Sequence, residues 1–231
     1  LAAQALALYT FSGFWPDYIS IAYEPTFKQP YASMGLSPLQ LKNQIIVTGK
    51  RFEKENIPTK LVISEDLGFS DEWFNYADFV LQNPSSKSYI DLLSFHHIRT
   101  FNPLSFNFDV LKNYITFQRH IRASSYIRLQ GNRPIWQTEC SNFGYGQHGA
   151  IQQAIIFNRE LKYAKVSAEL WWTTILSSGD GYVSANNFSV LPAFASVNEH
   201  NYGLVTWNAS TQSTLGGPFE SQKMHGFKQF S

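Results

Sequence analysis

Short apolar runs alternate with helical segments along this 231-residue chain, and this alternation constrains the fold more than any other feature. The predicted strands lie at 17–23, 60–64, 91–96, 135–139 and 168–173, with predicted helices at 1–9, 37–56, from about 71, 109–129 and 148–165. Strands that alternate with helices form parallel βαβ units. The first βα turn has no glycine-rich phosphate loop, so the pattern favours a (β/α) barrel over an open nucleotide-binding sheet. A short strand at 202–207 and a last helix at 219–230 complete the prediction.

The composition narrows the functional class. The net charge is only +1, so no broad attraction to nucleic acid or anionic lipid is expected, and no apolar run is long enough to predict a membrane span. Aromatic residues make up 16% and charged residues 15%, which suits an enzyme that stacks uncharged sugar rings but equally a large aromatic core. Cys140 is the only cysteine, so the chain has no internal disulfide and no cysteine-based zinc cluster.

Two glutamates at the ends of apolar strand runs are candidates for a pair of catalytic carboxylates. Glu24 comes after the first predicted strand, and Glu139 ends the fourth. Carboxylates at the C-terminal ends of strands three units apart are typical of a barrel with a two-carboxylate active site. Glycoside hydrolysis needs such a pair, because one carboxyl group donates a proton while the other attacks or activates water. The alternative is that Glu24 is a loop or helix-start carboxylate and Glu139 a solvated strand end.

Three segments resemble glycoside hydrolase family 30. Residues 17–25 (DYISIAYEP) resemble that family's "yiSiqNEP" segment on the fourth barrel strand, and residues 134–139 (PIWQTE) resemble its "lWmTE" segment on the seventh. Residues 202–205 (YGLV) and 223–231 (KMHGFKQFS) resemble the stretch that leads into the family's side β-domain. The resemblance implies a (β/α)₈ TIM barrel of which residues 1–231 form a single partial catalytic domain. We expect this domain to cover about the fourth to eighth βα units, without the first three strands and with the side β-domain absent or truncated.

The resemblance also implies roles and partners. Glu24 would be the general acid/base and Glu139 the nucleophile of a retaining enzyme that uses neither metal nor organic cofactor. The implied partner is a carbohydrate substrate, a β-linked polysaccharide or glycoconjugate of the xylan, β-1,6-galactan, β-1,6-glucan or glucosylceramide type. The missing remainder of the barrel would be a second partner. We expect an extracellular or lysosome-like location.

Two departures from the family pattern leave an alternative open. Tyr23 stands where the family has an asparagine that bonds the sugar 2-hydroxyl, and Ile98 stands where a strand-six tyrosine would approach the nucleophile. A catalytically inactive barrel that binds glycan or serves as an interaction module is therefore the competing hypothesis.

The remaining polar candidates each carry two interpretations. His96 is either a substrate-contacting residue or a hydrogen-bonded core histidine, and the family pattern favours Trp172 as a sugar-stacking platform over a structural tryptophan. Adjacent strand residues face opposite sides, so His96 and His97 are not expected to bind one metal. Glu65 and Asp66 are interpreted as loop carboxylates, with lining of the cleft as the alternative.

Overall fold

The computed structural model describes residues 1–27, 34–99, 106–142, 146–171, 175–177, 205–207 and 219–220. Its main feature is a five-stranded sheet in which neighbours in space are also neighbours in sequence and every pair is parallel. The strands are β1 (Tyr18–Ser20), β2 (Lys60–Leu67), β3 (Ile90–Arg99), β4 (Ile135–Asn142) and β5 (Ala168–Trp171). This curled parallel sheet with connecting helices is part of a TIM barrel, as the sequence predicted.

Helices connect the strands. They are α1 (Ala2–Ser12), α2 (Pro38–Lys54), α3 (Asp71–Leu81), α4 (Pro84–Lys87), α5 (Phe106–Leu129) and α6 (Gly146–Arg159), and α6 runs directly into a π-helix at Glu160–Ala164. Ser37 begins α2 with a capping box, since its hydroxyl accepts from the Gln40 N–H while the Gln40 side chain accepts from the Ser37 N–H. Of the helices within the described ranges, none combines the length and apolar character of a membrane span.

The core lies between the sheet and its helices. Trp73 of α3 is fully buried, and its indole N–H donates to the Ser94 carbonyl at 2.8 Å, which ties α3 to β3. Large side chains with almost no exposure fill the same layer: Leu41, Ile45, Leu61, Ile63, Phe74, Leu93, Phe95 and Ile135. A smaller cluster joins Cys140, Ile156, Phe157 and Trp171 beside β4 and β5. The helices therefore cover one side of the strands, while the strand ends carry polar side chains.

The strand bounds differ from the predicted ones in a way that bears on function. β1 ends at Ser20 rather than 23, and the chain then turns before Glu24. β2 continues beyond its predicted end at 64, so Glu65 and Asp66 lie within it, and β4 continues from the predicted end at Glu139 to Asn142. Pairing with β3 explains both extensions, because β3 itself reaches Arg99 and offers backbone partners that far.

A second, three-stranded sheet is formed by β6 (Ile175–Ser177), β7 (Val205–Trp207) and β8 (Phe219–Glu220). β7 agrees with the predicted strand at 202–207. The helix predicted at 219–230 is wrong at its start, since residues 219–220 pair antiparallel with β7 and this pairing overrides the local helical preference. The rest of that predicted helix, 221–231, lies outside the described residues.

Candidate active site

The polar side chains gather at the C-terminal ends of β1 to β4. Glu24 lies in the turn after β1, and only 2% of the residue is exposed. Its backbone has a φ of 45°, and its N–H donates to the Glu65 carbonyl at 2.7 Å, which holds the turn against β2. Glu65 has a φ of 41°. Positive φ at two facing non-glycine residues is strained backbone, which concentrates at functional sites.

His96 lies between two of the carboxylates. Its Nδ1 is 3.0 Å from Glu24 Oε1, and its Nε2 is 2.8 Å from Glu65 Oε2. Burial acts to lower the pKa of His96, but the hydrogen bonds to Glu24 and Glu65 and the charge of Glu139 raise it to about 9. At neutral pH the ring is therefore an imidazolium that donates to both carboxylates, and it fixes their orientation.

Glu139 completes the group from β4. It is opposite His96 in the strand register, after a bulge at Thr138, and its Oε2 is 4.0 Å from His96 Nδ1. The Tyr23 hydroxyl donates to Glu139 Oε2 at 3.1 Å. Burial raises the pKa of the Glu139 carboxyl above its usual value, and the nearby charges of Glu24 and Glu65 add to this, while His96 and Tyr23 oppose it.

The spacing of the two predicted glutamates is the main geometric result. Glu24, His96 and Glu139 each place one donor atom within 4.8 Å of the other two. Carboxyl groups of retaining glycosidases lie about 5–5.5 Å apart, whereas inverting enzymes need about 6.5–9.5 Å to admit a water molecule. One oxygen of Glu24 and one of Glu139 therefore lie closer together than the carboxyl groups of an inverting pair, which favours direct attack by one carboxylate.

Sequence reasoning placed Glu65 and Asp66 in a loop, and this was wrong. Both lie on β2 and are buried, at 8% and 0% exposure. Glu65 bonds His96 and accepts from the Thr138 hydroxyl at 2.6 Å, while Asp66 accepts from the Thr26 hydroxyl at 2.7 Å. Burial raises the pKa of Asp66. The one sequence signal for Glu65 was its position directly after the predicted strand at 60–64, which indicates the same sheet edge as Glu24 and Glu139 but not the bond to His96.

The other predicted site residues have different outcomes. Tyr23 lies in the cluster, with its ring 5.1 Å from that of His96 and its hydroxyl on Glu139. Both ring nitrogens of His96 bond carboxylates, so the buried, hydrogen-bonded interpretation describes it better than a sugar contact. His97 contacts Glu160 instead, on the other side of β3, as strand alternation predicted. Trp172 lies outside the described residues.

We compared the chain with known proteins to find which of them share its fold. No family model and no curated protein matches the chain. Among solved structures, SrfJ from Salmonella typhimurium matches with a TM-score of 0.69 at 12% identity, over 99% of this chain and 45% of SrfJ. The family 30 subfamily 8 xylanase Xyn30A from Clostridium acetobutylicum matches with a TM-score of 0.59 at 19% identity, over 100% of this chain and 46% of the xylanase. A family 39 β-xylosidase from Caulobacter crescentus also matches at 0.59 and 12% identity, over 98% and 44%.

These likenesses define the class of fold. The chain has the fold of part of a glycoside hydrolase barrel, which is the fold that the resemblance of its sequence segments implied. It spans less than half the length of each of these three structures. At identities of 12–19%, these structural likenesses show a shared fold but do not show a shared activity. The function must therefore be argued from the site.

Proposed function

We propose that the chain is part of a retaining glycoside hydrolase that acts on a β-linked polysaccharide or glycoconjugate. The observation that carries this proposal is the approach of Glu24 and Glu139 within 4.8 Å around a buried His96. The barrel supports it, since catalytic residues of such barrels sit at the C-terminal ends of their strands. The fold of a family 30 xylanase, shared over the whole chain, supports it further.

In the proposed reaction, a Glu139 oxygen attacks the anomeric carbon while the bond to the leaving oxygen breaks. Glu24 gives its proton to that oxygen, and a covalent glycosyl-enzyme forms. Water then attacks the same carbon, Glu24 takes a proton from it, and the bond to Glu139 breaks with net retention. His96 would hold Glu24 through Nδ1 and, as an imidazolium 4.0 Å from Glu139, favour the ionised form of the nucleophile.

Tyr23 has a role of its own in this proposal. Its phenol donates to Glu139 Oε2, so it is a positioning residue for the nucleophile and no substitute for the asparagine of the family pattern. Because the residue is 40% exposed, it also lines the open side of the site, where a sugar ring would enter.

The sugar, the linkage and the proposed extracellular or lysosome-like location all remain predictions.

A catalytically inactive barrel that binds glycan is the second candidate. The burial of Glu24 at 2% exposure favours it, because an acid/base must reach the glycosidic oxygen. The Tyr23 phenol on Glu139 favours it too, since the contact occupies the proposed nucleophile. In this reading the same cleft would bind carbohydrate without turnover.

Covalent trapping separates the two candidates. The complete gene product is incubated with a panel of activated 2-fluoro β-glycosides, and the labelled peptide is found by mass spectrometry. We expect an adduct on Glu139, lost in Glu139→Gln. Glu24→Gln should still form the adduct and should be slowed least on substrates with good leaving groups, which need little protonation. An adduct in Glu139→Gln means that the roles are wrong. Glycan binding without any adduct or turnover supports the inactive barrel.

A further inference from the structure

A second buried polar cluster lies on the opposite face of β3 from the candidate active site. His97 contacts the Glu160 carboxylate at the start of the π-helix, and His120 of α5 places Nε2 4.0 Å from Glu160 Oε1. The three residues are 8%, 3% and 0% exposed. One donor atom from each lies within 4.8 Å of the other two. Two imidazoles and a carboxylate thus converge inside the wall of the barrel.

A fourth polar group adjoins this cluster. Glu169 of β5 lies beside Glu160, and both of its carboxyl oxygens are buried without a hydrogen-bond partner among the described residues. Two carboxylates in contact away from water need positive charge between them, supplied by a proton or by a metal cation. The neighbouring imidazoles are good metal ligands in their neutral form.

We propose that His97, His120, Glu160 and Glu169 bind one zinc ion. Imidazole nitrogen and carboxylate oxygen are the donors that zinc takes in proteins, usually four in tetrahedral geometry. The two negative charges of Glu160 and Glu169 balance the double positive charge of the zinc ion, while both imidazoles stay neutral. Without a metal, protons would have to neutralise the two carboxylates. Calcium and magnesium prefer sites built from oxygen alone.

The distances fit this ion after small movements. Donors about 2.0–2.1 Å from a tetrahedral zinc lie about 3.4 Å apart. The 4.0 Å between His120 Nε2 and Glu160 Oε1 must therefore shrink by roughly half an ångström, and the His97–Glu160 contact must open. Glu169, which lies beside Glu160, would have to turn toward the same point.

The positions of the four donors indicate that the zinc ion has a structural role. They come from β3, α5, the π-helix and β5, four separate elements of one wall. A zinc ion bound by four protein donors leaves no open position for substrate, so it stabilises the fold. It would hold the end of β3, where His96 faces the candidate active site. This site goes beyond the proposed glycosidase function and does not depend on it.

Metal content and affinity test the proposal. The complete chain is produced with zinc and dialysed, and elemental mass spectrometry then measures the number of zinc ions per chain. This number can be compared whether the protein is a monomer or an oligomer. Zinc affinity follows from competition with a chromophoric chelator. We expect about one zinc per chain, and at least tenfold weaker binding in His120→Gln. Glu139→Gln is the matched control, because Glu24, His96 and Glu139 also lie close enough to hold a cation. That variant should keep its zinc.

Several results would overturn the assignment. A wild-type chain that binds no zinc does so directly. Loss of zinc in Glu139→Gln with retention in His120→Gln would place the ion in the other cluster. If His120→Gln does not fold, Glu169→Gln keeps the side-chain shape, and binding should again weaken about tenfold or more. Unchanged affinity in that variant contradicts the four-donor site. Cobalt substitution gives a further readout, since an octahedral spectrum would exclude tetrahedral coordination.

Discussion

At the scale of single residues, the site depends on how Tyr23 and His96 hold Glu139. The Tyr23 hydroxyl donates to one Glu139 oxygen at 3.1 Å, and the His96 Nδ1 lies 4.0 Å from the same oxygen. Both groups stabilise the carboxylate against the effect of its burial. Tyr23, which lies in the turn after β1, therefore brings a hydrogen-bond donor to the proposed nucleophile where the family pattern has an amide.

Tyr23→Phe should weaken catalysis without unfolding the protein. A hydrogen bond to a charged group contributes about 1.5–3 kcal/mol when buried and less here, because Tyr23 is 40% exposed. We expect kcat/KM to fall about tenfold and its acidic limb to move to higher pH. Tyr9→Phe is the control, since Tyr9 stacks on Trp15 in α1 away from the site and should leave both unchanged. An unaltered profile in Tyr23→Phe would show that the phenol does not act on Glu139.

The raised pKa of Glu139 predicts the position of the acidic limb. The nucleophile attacks only when ionised, so activity is lost as pH falls through its pKa. Burial lifts that pKa above the ordinary glutamate value of 4.5, and kcat/KM reports the free enzyme. We expect the acidic limb of kcat/KM in the complete gene product to lie above pH 4.5. A limb below that value would contradict the account of Glu139 as a partly desolvated nucleophile.

The sequence could predict Glu24 and Glu139 because each follows an apolar strand run, and strand ends meet at one edge of a parallel sheet. It could not predict the role of Glu65, because the apolar run stops at Ile63 and the strand continues to Leu67 only through pairing with β3. The reach of the Tyr23 phenol to Glu139, 116 positions along the chain, likewise depends on the packed structure.

At the scale of elements, α2 approaches the sheet through a glycine. The Tyr89 ring lies over Gly49, where an added Cβ would come within 2.2 Å of the ring, and its hydroxyl donates to Glu53 one turn along α2. The glycine therefore permits close contact between α2 and the segment that enters β3. The sequence predicted a helix over 37–56, in agreement with the observed Ser37 cap, but nothing in the sequence indicated this contact.

Gly49→Ala should destabilise the protein although alanine favours helices. In an exposed helix the change would stabilise by up to about 1 kcal/mol. Here the methyl group would displace the Tyr89 ring, and overpacking typically costs about 1–3 kcal/mol. Urea denaturation of the complete gene product measures the free energy of unfolding. Gly35→Ala, where an added Cβ would meet no atom within 4 Å, is the matched control. A gain in stability for Gly49→Ala would contradict the close packing.

At the scale of the whole molecule, the described sheet is an open half of a barrel. β1 and β5 are its edge strands, and α1 and the segment after it expose large apolar side chains, with Phe11 92% and Phe14 79% accessible. Parallel sheets are normally covered on both faces, and open edges and apolar patches promote association. The parallel order of the sheet was predictable from the alternation of strands and helices. Of the second sheet only β7 was predicted, since its strands are two or three residues long.

We predict that residues 1–231, expressed alone, form oligomers or aggregates and have no measurable glycosidase activity. A complete barrel places sugar-positioning groups at the ends of further strands, and displacement by about 1 Å can lower a rate a hundredfold. Size-exclusion chromatography with light scattering, and hydrolysis of aryl β-glycosides, measure both properties. A monodisperse, cooperatively melting and active monomer would mean that the chain closes its sheet by itself.

The stereochemistry of the first product tests the central claim most directly, namely that Glu24 and Glu139 form a retaining pair. Proton NMR follows hydrolysis of a β-glycoside by the complete gene product before the released sugar mutarotates. Because one oxygen of Glu24 lies within 4.8 Å of one oxygen of Glu139, the account predicts that the β-anomer appears first. Initial release of the α-anomer would require an inverting pair with space for water between the carboxylates, and would contradict the roles assigned to both glutamates.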